Sequence, residues 1–134
     1  MPELNAIHHV SLTVSDLDAS VRWYQEVLGL TELLREDHPD GSGYGIVLGK
    51  PDFSLCIGLH THDSADGSRF AETRTGLDHF SFLAADRDEL AAWEKRLADL
   101  GVDHSPLNDQ GGYAVVVFRD PDNIQLEFIA LGPA

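Results

Sequence analysis

His9 and His79 occupy matching places in this chain. Sliding the sequence 70 residues along itself lays His9 on His79, Ser11 on Ser81, Asp16 on Asp86, Asp18 on Asp88 and Trp23 on Trp93. Glu127 follows His79 by 48 residues. Two imidazoles and a carboxylate are a common ligand set for a divalent ion and for metal-activated oxygen chemistry. Taken singly, each has a plainer role: a strand histidine is usually a surface or hydrogen-bonded residue, and Glu127 alone reads as a solvated charge. The repeat is what lifts them above that.

Whether the three can meet depends on the faces of the strands that carry them. Ile7 to Val14 alternates, with Val10, Leu12 and Val14 on one side and His9, Ser11 and Thr13 on the other, which is the period of a half-buried strand. Between Leu77 and Leu83, Phe80 and Phe82 take the apolar side and leave His79 and Ser81. In Ile124 to Ala130, Leu126 and Phe128 leave Gln125 and Glu127. With the apolar sides packed under helices, the polar sides go to water or to a site, and His9, His79 and Glu127 could converge on the concave side of one sheet surface.

The elements that position them repeat as well. The offset also superposes Leu30 on Leu100, Gly41 on Gly111, Val47 on Val117 and Pro51-Asp52 on Pro121-Asp122. That makes ten identities in 64 pairs, against roughly four or five expected from ordinary residue usage. The matched residues keep the same order of strand, helix and turn, which indicates a duplicated module. Ser15 or Asp16 caps a helix bearing Val21, Tyr24, Val27 and Leu28, which Gly29 stops. Asp86 to Leu100 is its counterpart, with Leu90, Trp93, Leu97 and Leu100 inward and Gly101 as the stop. Tyr44 to Leu48, Phe53 to Leu59 and Tyr113 to Phe118 read as further strands, and Trp23 and Trp93 as core. Residues 61–76 are the only plausible linker. The expectation is one domain, 1–134, of two fused modules spanning about 4–62 and 77–134.

Composition limits the partners. The net charge of −14 would repel phosphates and anionic headgroups, which excludes nucleic acid and membrane surfaces. No apolar run approaches the roughly 20 residues that span a bilayer. Met1-Pro2-Glu3 opens without a basic or apolar leader, and the single Cys56 suits a reducing cytoplasm. A small molecule, or another copy of the chain, is the expected partner.

The opening I-H-H-V-S-L-T-V-S-D-L-D-A-S-V-R-W-Y-Q-E-V-L-G-L and the closing F-R-D-P-D-N-I-Q-L-E-F resemble the vicinal oxygen chelate superfamily. Its members include glyoxalase I, fosfomycin resistance proteins, extradiol dioxygenases, methylmalonyl-CoA epimerase and bleomycin resistance proteins. The resemblance implies an α+β fold: two βαβββ modules forming a U-shaped, cup-like mixed sheet with helices outside. It implies one divalent ion, Fe, Mn, Ni, Zn or Co, on His9, His79 and Glu127, and a substrate held through adjacent oxygens for lyase, isomerase or ring-cleaving dioxygenase chemistry. Family habit and exposed sheet edges suggest a homodimer.

The superfamily's fourth ligand, a glutamate in glyoxalase I, comes from the strand that here reads F-S-L-C-I-G-L, where Cys56 is the nearest match. No acid lies between Asp52 and Asp63, which argues against an ordinary glyoxalase I centre and for open coordination positions. Fosfomycin resistance proteins extend further and hold a phosphonate with basic residues, whereas this chain has no lysine after Lys95. Extradiol dioxygenases of the common type are about twice as long.

Candidates to move a proton are Glu127, His104 and Tyr113, against plainer roles as an exposed turn residue for His104 and a packed aromatic for Tyr113. Ser11, Ser81 and Arg119 are candidates to hold substrate, Arg119 having the simpler role of a surface ion pair. His60 and His62 alternate on one strand face and could bind metal as a pair, but they stand beside the polar linker, where exposure is expected, and strand alternation turns His8 away from His9. Cys56 is otherwise a small buried apolar residue. The competing function is a bleomycin-resistance-like binding protein that sequesters a cationic drug without turnover.

Overall fold

In the computed structural model, which describes Met1–Ala134, each half of the sequence folds as strand, helix and three strands. The first comprises β1 (Val10–Thr13), α1 (Leu17–Leu28), β2 (Thr31–Asp37), β3 (Gly43–Gly49) and β4 (Cys56–His62). The second comprises β5 (Phe80–Leu83), α2 (Arg87–Asp99), β6 (Asn108–Asp109), β7 (Tyr113–Arg119) and β8 (Gln125–Leu131). The ladders form two four-stranded sheets, β1-β4-β3-β2 and β5-β8-β7-β6. Each is mixed, because its first strand runs parallel to its last and the other pairings are antiparallel. This is the expected α+β pair of βαβββ modules. The chain divides into two compact units, Met1–Ser68 and Arg69–Ala134, with the break inside the polar stretch 61–76.

Asp16 is the N-cap of α1, its Oδ1 accepting from the Ala19 amide at 3.1 Å. Gly29, at φ 70°, ends the helix in the left-handed conformation that costs glycine nothing. Asp86 caps α2 in the same way through the Glu89 amide at 2.8 Å. The inward helix faces are Leu17, Ser20, Tyr24 and Val27 in α1, and Leu90 and Leu97 in α2. Leu100 is 48% exposed, because α2 closes one residue earlier and leaves it at the C-cap. Trp93 is half-buried and stacks on Phe128 at 4.4 Å between ring centroids.

The strands the chemistry depends on start later than alternation suggests. β1 begins at Val10 and β5 at Phe80, so His9 and His79 stand on the residues that lead into them. β4 runs from Cys56 to His62, and Phe53, read as its start, lies in a preceding turn at φ 62°. His60 and His62 are therefore strand residues, half-buried, and not part of the linker.

β3 has glycine at every second position but one, at Gly43, Gly45 and Gly49, and this strip allows close approach by what lies over it. A Cβ on Gly49 would sit 1.8 Å from the Leu55 carbonyl oxygen. Because backbone must move to admit it, Gly49→Ala is expected to lower the stability of the chain by about 2 kcal/mol. Gly112→Ala, which meets nothing within 4 Å, is expected to change it by less than about 0.5 kcal/mol. Urea unfolding of both variants checks the contrast.

Candidate metal centre

The parallel pairing of β5 with β8 sets Ser81 opposite Glu127. The Ser81 hydroxyl donates to Glu127 Oε1, which leaves Oε2 as the free oxygen. His79 Nε2 lies 4.0 Å from that Oε2. The Glu127 side chain is 14% exposed and that of His79 43%, so the carboxylate sits in a recess and the imidazole at its rim. The turn into β8 is held by Asp120, buried, whose Oδ1 accepts from the amides of Asp122 and Ile124, each at 2.9 Å.

His79 is oriented from behind. Its Nδ1 bonds Asp78 Oδ1 at 2.6 Å, and Gln125 Nε2 donates to the same oxygen at 3.1 Å. Arg119 Nη2 donates to Gln125 Oε1 at 2.9 Å and to Glu72 Oε1 at 3.1 Å, while Nη1 donates to Glu72 Oε2 at 3.0 Å and to the Asn123 carbonyl at 3.1 Å. With Nδ1 engaged by a carboxylate, Nε2 is the nitrogen turned to Glu127, the arrangement that ligating histidines adopt. Two donors each about 2.0–2.2 Å from one ion stand at most about 4.3 Å apart, and about 2.9–3.4 Å apart in adjacent positions. At 4.0 Å His79 Nε2 and Glu127 Oε2 are within reach of one ion and would close by about 0.6–1.1 Å to hold it in adjacent positions. The chemistry of this donor pair suits a divalent ion.

The first module repeats the ladder without the acid. Ser11 is opposite Gly58 in β1–β4 as Ser81 is opposite Glu127, and Val47 is opposite Gly58 in β3–β4 as Val117 is opposite Glu127. The counterpart of Glu127 is thus Gly58 and not Cys56, the nearest match in the sequence. The reason is the turn: Gly58 comes seven residues after Pro51, whereas Glu127 comes six after Pro121. Cys56 is 4% exposed and its Sγ approaches the Phe53 carbonyl at 3.7 Å. A Cβ at Gly58 would meet Ser11 Oγ at 2.4 Å, so the serine hydroxyl closes over the position the carboxylate would need. His9, exposed, is in contact with His8, their Nδ1 atoms 2.8 Å apart. His8 does not turn away, because both precede β1 and strand alternation does not apply.

Other candidates are placed elsewhere. Tyr113 lies four residues along β7 from Val117, about 13 Å from the rung of Glu127 at strand spacing, too far to exchange a proton with it. His104 bridges the far edge of β7 at Phe118 and is half-buried, its Nδ1 on the Ser105 carbonyl at 2.7 Å. Arg119 spends both terminal nitrogens inside the module, which removes it as a substrate clamp. Ser81 is likewise committed to Glu127 and positions it. His38, in the turn after β2, stands with His60 and His62 on the first sheet. Burial foremost, then the charge of His38, hold the His60 imidazole below its ordinary pKa, with Glu36 opposing. Asp78, Glu72 and His38 have no counterpart in the sequence reading, which set Gln125 on the polar strand face without a role; the nearness of Asp78 to His79 was the one other usable signal. In no part of the chain do three His, Cys, Asp or Glu side chains already close on one point.

The pattern of the Glyoxalase/Bleomycin resistance protein/Dioxygenase superfamily matches residues 6–128. The chain belongs to this superfamily. A crystal structure of a glyoxylase/bleomycin resistance protein/dioxygenase domain from Frankia sp. EAN1pec is 39% identical with a TM-score of 0.86, over 96% of this chain and 93% of that one. A putative ring-cleaving dioxygenase, MhqA, of Bacillus subtilis is 26% identical over 92% of this chain. A lactoylglutathione lyase of Arabidopsis thaliana is 31% identical over 93% of it. The chain spans only 39% and 44% of the lengths of these last two relatives.

The Glu72–Arg119 pair braces His79 through Gln125 and Asp78, and it titrates. The hydrogen bonds from Arg119 hold the Glu72 carboxyl at about 2, below its ordinary 4.5. A depressed carboxylate contributes stability above its unfolded pKa and loses it as pH falls through the folded one. The gap in melting temperature between the wild type and Glu72→Gln is therefore expected to be widest above pH 4.5 and to narrow towards pH 2. A calorimetric pH series checks it; a gap that does not vary with pH rules the pair out as its source.

Proposed function

We propose that the chain is a divalent-metal-dependent enzyme that binds a small substrate through two adjacent oxygens, with His9, His79 and Glu127 as the protein donors. The observation that carries the proposal is the pair His79 Nε2 and Glu127 Oε2, 4.0 Å apart and each fixed by its own neighbour, Asp78 or Ser81. His9 is the repeat counterpart of His79 and supplies the third donor. The ion, when bound, supplies Lewis acid chemistry that polarises substrate oxygens.

The chain's own residues divide the remaining work. Glu127 is the one carboxylate, because Gly58 replaces its counterpart, and Oε2 is the oxygen on which it could take a proton if displaced from the ion. Ser81 holds Oε1 and keeps the carboxylate aimed. Ser11 has no acid opposite it, so its hydroxyl is the hydrogen-bond donor left for a substrate in the first module. Three protein donors in place of four leave positions open for substrate oxygens, which supports lyase, isomerase or ring-cleaving dioxygenase chemistry. The two enzyme relatives are named as a lyase and a ring-cleaving dioxygenase, which lie within that range. We place the enzyme in the cytoplasm as a homodimer, without nucleic-acid or membrane partners.

Elemental analysis of the untagged protein is expected to find about one divalent ion per chain at this centre, lost in His9→Ala, His79→Ala and Glu127→Ala. Asp78→Ala and Ser81→Ala are expected to retain the fold and weaken metal binding about 10–100-fold. If the protein holds no ion, and added Fe, Mn, Ni, Co or Zn neither binds nor raises the melting temperature, the metalloenzyme reading fails. A sequestering protein, with ligand binding that ignores the three donors, then takes its place.

A further inference from the structure

We propose that His38, His60 and His62 form a second metal site, contained in the first module, that takes a divalent transition-metal ion of the copper, nickel or zinc class. Two strands and a turn bring them together. His60 and His62 alternate along β4 opposite Gly45 and Gly43 of β3. The β2–β3 turn inserts His38 between them, with ring centroids 5.3 Å from His60 and 4.5 Å from His62. The turn is tied by the His38 amide to the Gly43 carbonyl at 3.0 Å and the Gly41 amide to the His38 carbonyl at 2.9 Å.

The sheet beneath is cut to seat the rings. A Cβ on Gly45 would fall 2.4–2.8 Å from three atoms of the His60 ring, while one on Gly43 would first meet the Thr61 carbonyl oxygen at 2.1 Å and then His38 Nδ1 at 3.1 Å. Above them the rings and Ser11, Leu12 and Thr13 line an open cleft of about 330 Å³, which has room for the water or ligand atoms that complete a coordination shell. The acidity of the chain favours a cation at any such site.

The spacing of two of the donors is already within reach of one ion. His38 Nε2 and His60 Nδ1 are 3.0 Å apart. Two nitrogens at that separation, each about 2.0–2.1 Å from an ion, subtend an angle of about 94° there. That is close to the right angle of square-planar or octahedral Cu²⁺ and Ni²⁺, while tetrahedral Zn²⁺ needs the pair opened to about 3.4 Å. In the metal-free chain the two nitrogens share one proton as a hydrogen bond. Taking up an ion moves that proton to the far nitrogen of its own ring, and the stacked rings swing within the cleft so that three lone pairs meet. Copper is expected to bind tightest, followed by nickel and zinc.

This inference does not rest on the proposed enzyme centre, and the test keeps the two apart. The untagged chain carrying His9→Ala, His79→Ala and Glu127→Ala together is titrated calorimetrically with Cu²⁺, Ni²⁺ and Zn²⁺. Saturable binding of one ion per chain is expected, weakened by no less than the roughly tenfold that loss of an outer-shell partner alone brings when His38→Asn, His60→Asn or His62→Asn is added. Absence of saturable binding, or binding that these changes leave intact, overturns the proposal. A second measurement on the unsubstituted protein guards against misfolding: Zn²⁺ is expected to shift the imidazole ¹⁵N resonances of His38, His60 and His62 together. Shifts confined to other histidines overturn it equally.

Discussion

Each module depends on one pairing: its first strand laid parallel against its last. A parallel pair cannot be joined by a tight turn, so a long crossover is required, and here it comprises the amphipathic helix that covers the apolar face and the two strands that follow it. The pairing fixes which residue of the last strand stands opposite the serine of the first. In the second module that residue is Glu127, and the serine holds it. In the first it is Gly58, and the serine closes over it. A slip of one residue would turn Glu127 into the apolar layer and Leu126 or Phe128 out of it, so the core and the acidic recess are specified by the same register.

Much of this was legible in the sequence because it follows short-range rules. The capping aspartates Asp16 and Asp86, the stop at Gly29, the buried helix stripes and the histidine before each leading strand all sit at fixed offsets from an apolar pattern. What escaped did so for physical reasons. β2 is exposed along nearly its whole length, so no alternation marks it. Gly58 was hidden by one extra residue in the preceding turn, which shifts the last strand of one module against the other while leaving the turn residues matched. The Glu72–Arg119 pair joins residues 47 positions apart, and no periodicity connects them. The pairing of His60 with His62 was legible, but the third member of the cluster was not: His38 rides on a hairpin turn, and only the β3–β4 ladder brings it over the other two.

The two copies of the module have thus diverged in complementary ways. The second has kept a carboxylate, a serine to hold it and an ion-paired frame behind its histidine. The first has replaced the carboxylate by glycine and gathered three imidazoles over a glycine-lined strand. Charge follows the same division: the polar contacts of the second module's face are carboxylates met by arginine and amide groups, whereas those of the first are imidazoles that meet one another. A duplicated scaffold whose register is fixed by its core can vary these outward positions without disturbing what lies beneath.

The bracing of His79 also has a direction. Arginine can only donate and an ionised carboxylate can only accept. Arg119 donates to the oxygen of Gln125, so Gln125 must present its nitrogen to Asp78, and Asp78, accepting there, also accepts from His79. Asp78, able only to accept, takes its hydrogen bond from Nδ1 and so turns Nε2 to Glu127. The guanidinium at the far end settles which way the Gln125 amide faces, and with it which atom steadies the Asp78 carboxylate.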